Sequence, residues 1–217
     1  MKSDRVIADR QHWDGIYRAD PTKVSWYQPS AAVSLALLDA LGVRPDTSVV
    51  DVGGGASPLV DELLGRGFRD LSVLDVSATA LDTARRRLGP AAAQVHWLHE
   101  DLRRWSPARR YGLWHDRATF HFLVEPVDRD RYRRLLASAL LPGGAAIIAT
   151  FSPSGPPRCS GLPVVHYGPE ELVAAAGAQF ELVATRHEEH TTPAGAVQSF
   201  VWVALRDARG GLVTGST

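Results

Sequence analysis

Cysteine is almost missing from this sequence: Cys159 stands alone among 217 residues. A single thiol excludes an internal disulfide framework and fits a reducing compartment. Lysine is scarce too, present only as Lys2 and Lys23, so arginine carries nearly all the basic charge. Net charge is also lacking, with 24 Lys and Arg against 24 Asp and Glu. No global field therefore draws the chain to nucleic acid or to an anionic membrane, and a neutral or small partner is favoured. No run approaches about 18 consecutive apolar residues, the length a membrane helix needs. The start, "MKSDRVIADRQHWDG", has no apolar region of the kind a secretory signal carries. A cytoplasmic location with no membrane partner is expected.

What is present is a regular alternation. A chain of 217 residues suits one domain, large enough to bury about 70% of its unfolded surface. Short apolar runs predict strands at Ser48–Gly53, Asp70–Val76, Gln94–His99, Tyr111–Asp116 and Gly144–Phe151. Helix-period segments lie between them at Pro58–Arg66, Ala78–Leu88 and Asp128–Leu141, with Gly89-Pro90 and Pro142-Gly143-Gly144 as stops. Strand, helix and strand in this order predict an α/β fold with a parallel sheet covered on both faces. A short helix is expected at Pro169–Gly177, then a hairpin of Gln179–His187 and Ala196–Arg206 joined by "EEHTTPAG". Upstream, Ser30–Leu41 reads as an amphipathic helix. Three segments follow: residues 1–29 as an N-terminal helix and lid, 30–206 as the catalytic body, and 207–217 as a flexible polar tail.

The stretch "VVDVGGGASPLVDELLGRG" places Gly53, Gly54 and Gly55 between a strand and a helix. Glycine permits a tight turn and lets a ligand approach the backbone, while Ser57 and Pro58 suit the start of a helix whose free N–H groups face that ligand. Asp75 ends the second strand, 22 residues after Gly53, where a carboxylate accepts hydrogen bonds from ribose hydroxyls. Asp101 follows the third strand, beside the place of an adenine amino group. Dinucleotide and S-adenosylmethionine sites share these features. The dinucleotide fingerprint, however, needs a third small residue where Pro58 stands, and the Tyr and Lys pair of short dehydrogenases is impossible with no lysine after Lys23.

With these residues the chain resembles the class I S-adenosylmethionine-dependent methyltransferases over nearly its whole length. The first motif of that family maps onto Asp51, Gly53 and Gly55, with Ser57 in place of its last glycine. The resemblance implies a Rossmann-like seven-stranded sheet in the order 3-2-1-4-5-7-6 with strand 7 antiparallel. It implies S-adenosylmethionine as cofactor, bound by Asp51, Gly53, Gly54, Gly55, Asp75, Val76, Asp101, Leu102, His115 and Trp26. No metal is expected: one cysteine and the histidine spacing match no common ligand pattern.

Methyl transfer is an in-line displacement, so acceptor-side candidates belong on loops beyond strands 1, 4 and 5 and on the lid. Asp116, His121 and Tyr27 are the candidate catalytic residues. His115 and Asp116 end strand 4, where the alternative to a functional role for Asp116 is a surface pair with Arg117. His121 lies between Phe120 and Phe122 as a candidate base or a satisfied structural group. Trp26 and Tyr27, in "VSWYQ", offer aromatic faces to a sulfonium or a cationic acceptor. Trp13 and Tyr17 share a helical face and are expected to pack, while Cys159, His166 and Tyr167 are candidates to line the acceptor pocket. Arg85, Arg86 and Arg87 read as a solvated helix face, and the Asn-Pro-Pro-Tyr type of signature of nucleic-acid methyltransferases is missing. The expected acceptor is a small molecule with an N, O or S nucleophile. A protein lysine and a non-catalytic, cofactor-binding regulator remain as alternatives, with a monomer or homodimer as the assembly.

Overall fold

Val49–Val52 (β1) is only four residues long and wholly buried, as befits a central parallel strand covered on both faces. The computed structural model describes the backbone of residues 2–210 and the side chains of residues 10–209. Helix α1 (Lys2–Arg18) leads through a loop to α2 (Ala32–Ala40), β1, α3 (Leu59–Gly65), β2 (Leu71–Asp75), α4 (Ala78–Leu88), β3 (Val95–His99) and β4 (Tyr111–Arg117). Then come α5 (Pro126–Ala139), β5 (Leu140–Phe151), a small ribbon of Arg158–Cys159 and Leu162–Pro163, α6 (Pro169–Ala176), β6 (Phe180–Thr191) and β7 (Val197–Asp207). The seven long strands form one sheet in the order β3-β2-β1-β4-β5-β7-β6. β1 to β5 are parallel, and β7 runs antiparallel to both β5 and β6. This is the fold expected from the sequence.

Alternate residues of each strand enter two cores. Leu37, Leu38, Leu59, Leu63 and Leu81 from α2, α3 and α4 pack with Val49, Leu113 and Ile147 on one face. Tyr132, Leu135, Leu136 and Leu172 from α5 and α6 pack with Val50, Val52, Trp114 and Val203 on the other. Val52 pairs with Leu74 on one side and Asp116 on the other. The chain therefore leaves β1, β2 and β4 at nearly the same level, so Gly53, Asp75 and Arg117 share one edge.

Of the boundaries that differ from the sequence expectation, two have a clear physical reason. Helix α5 stops at Ala139, and Leu140 is already extended and paired with Tyr111. Burial of Leu140 in the sheet ends the helix before Pro142-Gly143-Gly144 is reached. The hairpin loop is also shorter than "EEHTTPAG", because Glu188, Glu189 and His190 lie in β6. Each has a partner: Trp202 Nε1 donates to Glu188 at 2.8 Å, Ser199 Oγ to Glu189 at 2.7 Å, and His190 Nε2 lies 2.8 Å from the Ser25 carbonyl. Of the tail expected from Asp207, residues 211–217 lie outside the described residues, while Asp207 itself ends β7 and is buried. Among the described residues no helix is long and apolar enough to cross a membrane.

Candidate functional site

Gly53 and Gly55 adopt φ of +66° and +46°, the left-handed region that favours glycine. A Cβ on Gly53 would lie 1.9 Å from Thr119 Oγ1, and one on Gly54 would lie 2.4 Å from Asp51 Oδ2. One on Gly55 would meet Tyr17 Oη at 2.9 Å and Asp75 Oδ2 at 3.0 Å. The bare backbone thus makes room first for the protein's own polar side chains. The amides of the turn are engaged within the protein: Gly53 N and Gly54 N both donate to the Leu74 carbonyl, at 2.7 and 3.2 Å. The Gly55 amide donates to the Asp75 carboxylate. Helix α3 follows with Pro58 in helical geometry at its N-cap and Ser57 Oγ accepting from Leu59 N at 3.2 Å.

Around this loop lies a cleft of about 200 Å³ with a narrower side pocket of about 50 Å³. Asp75, Val76, Asp101 and Leu102 line one end of the cleft, at the carboxyl edge of β2 and β3. Burial, and secondarily the neighbouring Asp51 and Asp14, pushes the Asp75 carboxyl up to about 7 against the help of the Ser77 and Gly55 amides. A buried carboxylate with two backbone donors keeps acceptor sites for a vicinal diol, whose two hydroxyls would donate to it. Asp101 is balanced differently. Burial raises it, but Arg103 grips both oxygens at 2.7–3.0 Å and holds it below the usual carboxylate range. Its place at the cleft wall fits a contact with a base edge, and its charge is shared with Arg103.

Helix α1 and the loop after it also line the cleft. Trp26 lines both cavities, and its Nε1 donates to Tyr17 Oη at 3.2 Å. Trp13 packs edge-on to Trp26 and Phe122, at 5.7 and 5.1 Å between ring centres. Trp13 and Tyr17 therefore pack as the helical spacing predicts, and they also line the cleft. Burial, then the Asp75 carboxylate, holds the Tyr17 hydroxyl protonated far above its ordinary range. Tyr27 faces the side pocket beside Gly54 and His115. Helix α1 is tied down by Asp14, which accepts from Ser77 Oγ at 2.6 Å and Thr79 N at 3.1 Å. The lid loop is tied to β6 through Gln28 and Glu188 at 3.0 Å.

The candidates on and after β4 part company, because its side chains alternate between faces. His115 points to the cleft face, with Nδ1 2.7 Å from Asp51 Oδ1 and Nε2 2.9 Å from Ser34 Oγ. Both of its ring nitrogens are thus held by the protein. Asp116 points to the opposite face, fully buried, accepting from Tyr132 Oη at 2.8 Å and from the Thr119 and Phe120 amides. Its expected position at the chemistry is corrected: it caps the turn after β4. His121 is corrected likewise, being fully buried between Phe122 and Phe151 with Nδ1 accepting from Phe151 N at 3.4 Å. Burial pulls its pKa down to about 3. Cys159 lines the cleft, whereas His166 bonds the Pro156 carbonyl and Tyr167 stacks on Phe120.

Arg117 and Thr119 line the cleft without having been singled out in the sequence. The signal was there: Arg117 stands two residues after His115 and so shares its face, as the last residue of β4.

Residues 49–144 match a family model described as a methyltransferase domain. Malonyl-[acyl-carrier protein] O-methyltransferase 1 of Ilyobacter polytropus is 27% identical over 111 residues, 51% of this chain and 40% of that protein. The chain thus spans about two fifths of the length of that curated relative. A structure from work on the conversion of a disulfide bond into a thioacetal group in echinomycin biosynthesis superposes with a TM-score of 0.71, at 18% identity and 94% coverage of both chains. The 1,6-didemethyltoxoflavin-N1-methyltransferase of Burkholderia thailandensis, solved with its substrate and S-adenosylhomocysteine, gives 0.66 at 18% identity, covering 94% of this chain and 86% of that one. At such identities these structures show a shared fold.

Proposed function

We propose that the chain is a class I S-adenosylmethionine-dependent methyltransferase, as the match of residues 49–144 to a methyltransferase-domain model supports, and that it transfers a methyl group from S-adenosylmethionine to a small-molecule acceptor with an N, O or S nucleophile. The observation that carries this reading is the buried Asp75 carboxylate beside the Gly53–Gly55 turn, in a cleft that Trp13, Tyr17, Trp26 and Phe122 also line. Asp75 would hold the ribose, with Val76, Asp101 and Leu102 along the adenine. Gly53, Gly54 and Asp51 would flank the methionine portion, with Trp26 above it.

The cofactor, when bound, supplies a methyl group already activated by a positive sulfur. The protein's task is alignment and exclusion of water, a contribution of roughly 7–11 kcal/mol in favourable cases. Trp13, Trp26 and Phe122 supply the dry wall. Tyr17 and Cys159 line the same region, and burial holds both protonated, Cys159 up to about 12. Asp116 and His121 lie outside the cleft. An acceptor that brings its own free lone pair, as a neutral amine or a carboxylate does, is therefore favoured over one that needs a strong base.

Calorimetry with S-adenosylmethionine, followed by assay of S-adenosylhomocysteine release over panels of small acceptors, tests the proposal. Binding and release with a small molecule is the expected result. Binding with no release over any panel would leave the non-catalytic regulator, and no binding at all would overturn the cofactor assignment.

A further inference from the structure

Arg117 carries a charge whose hydrogen bonds the protein leaves incomplete. Its Nη1 donates to the Trp26 carbonyl at 2.9 Å, but Nε and Nη2 are buried with no hydrogen-bond partner. A guanidinium has five N–H donors in a planar fork, and leaving several of them dry without acceptors is costly. Burial draws its pKa down to about 10, opposed mainly by Glu188. Yet Glu188 forms no ion pair with it among the described residues, since its oxygens are taken by Gln28 and Trp202.

The position of Arg117 in the sheet says which part of the cleft it serves. Arg117 pairs with Ala149 of β5, and Ala149 pairs with Trp202 of β7. The small alanine lets the arginine lie across β5, so that its Cζ sits 5.0 Å from the centre of the Phe200 ring and 6.0 Å from that of Trp202. The guanidinium thus reaches toward β7 and lines both the main cleft, with Cys159, Leu162 and Pro163, and the side pocket, with Gly53, Gly54 and Tyr27. Glu188, Cys159, Tyr17 and Asp51 lie near enough to act on its charge, but none of them takes a hydrogen bond from Nε or Nη2.

Building on the methyltransferase reading, we propose that Arg117 anchors the carboxylate of the methyl acceptor, whose apolar body lies against Trp13, Trp26 and Phe122. A carboxylate is planar and offers two oxygens at the spacing of the Nε and Nη2 fork, so one ligand group satisfies both unpartnered donors. The ring faces of Phe200 and Trp202 hold the guanidinium in place meanwhile.

The test uses the 217-residue protein loaded with S-adenosylhomocysteine and titrated with benzoate, phenylacetate and hexanoate, each against its primary amide. Calorimetry should show the carboxylates favoured over the amides by about tenfold or more in the native protein. In Arg117→Gln that preference should disappear while affinity for S-adenosylhomocysteine stays within about threefold. Arg117→Lys, which keeps the charge and guards against a folding failure of the glutamine variant, should retain only part of the preference. Equal binding of acids and amides to the native protein, or a preference that survives Arg117→Gln, would overturn the proposal. So would a loss of about tenfold or more in S-adenosylhomocysteine affinity in that variant, which would give the guanidinium to the cofactor's own carboxylate. Failure of the native protein to bind S-adenosylhomocysteine would instead strike the methyltransferase reading.

Discussion

His115 Nδ1 and Asp51 Oδ1 stand 2.7 Å apart in a buried site, and the far nitrogen of the same ring reaches Ser34 Oγ at 2.9 Å. A donor at Nδ1 facing the carboxylate leaves Nε2 to accept the serine hydroxyl. The chain of three ties the acid of the glycine motif to helix α2, which follows the lid. Replacing His115 by Ala strands a buried carboxylate and a buried hydroxyl, a loss of about 2–3 kcal/mol. Urea unfolding should show the midpoint falling accordingly, and an unchanged midpoint would mean that Asp51 does not depend on the ring.

The bond from Tyr132 to Asp116 predicts a structural phenotype in place of a catalytic one. Tyr132→Phe should cost about 1–2 kcal/mol of stability and leave affinity for S-adenosylhomocysteine unchanged. Burial raises the Asp116 carboxyl to about 6. The folded pKa therefore exceeds that of an unfolded aspartate, about 3.9. Its contribution to stability is then fully present below that unfolded value and is lost as pH rises through about 6. Asp116→Asn should flatten this part of the stability profile between pH 4 and pH 7; a profile identical to the native one would refute the assignment.

The parallel strands were legible because buried strands and amphipathic helices write different periods into the sequence, whereas the order of the sheet was implied by the resemblance to the methyltransferase family. Helix α4 appears with the bounds that Ala78 and Leu88 suggest, its end fixed by Gly89 at φ +56°. What the sequence hides is pairing at a distance. Nothing local to "EEH" shows that Trp202, Ser199 and Ser25 hold Glu188, Glu189 and His190 in a strand. The same limit applies at the site. Asp75 and Asp101 are legible from their place after a strand, whereas the face on which Asp116 falls depends on the register of β4 against β1. Arg117 gains its interest only from the alanine and the aromatic rings two strands away.

Gly53 makes a sharp steric claim. Its φ of +66° and a Cβ position 1.9 Å from Thr119 Oγ1 leave no space for alanine. Gly53→Ala should destabilise by roughly 2–4 kcal/mol, adding a left-handed backbone to a clash. Thr119→Gly removes the obstructing side chain, so the double variant should recover the steric share and keep the cost of the backbone. A double-mutant cycle by thermal unfolding measures that coupling, and purely additive effects would show that the contact does not govern the glycine.

Asp75 sets stability and ligand binding against each other. Its carboxyl, raised to about 7 chiefly by burial, favours the protonated form in the folded protein without ligand. The stability this supplies is present in full below the unfolded value near 3.9 and is lost as pH climbs through the folded one. Above pH 7 the buried charge is a burden, so Asp75→Asn should make the ligand-free protein more stable at pH 8. Ribose hydroxyls that donate to the carboxylate reverse the preference by stabilising its charged form. Affinity for S-adenosylhomocysteine should therefore weaken below about pH 7, approaching about tenfold per pH unit, with a proton released on binding. Asp75→Asn should abolish that dependence and weaken binding by about 1.5–3 kcal/mol at pH 8. Calorimetry in buffers of differing ionisation enthalpy reads the proton directly. Affinity that stays level from pH 6 to pH 8, with no proton released, would place the ribose elsewhere.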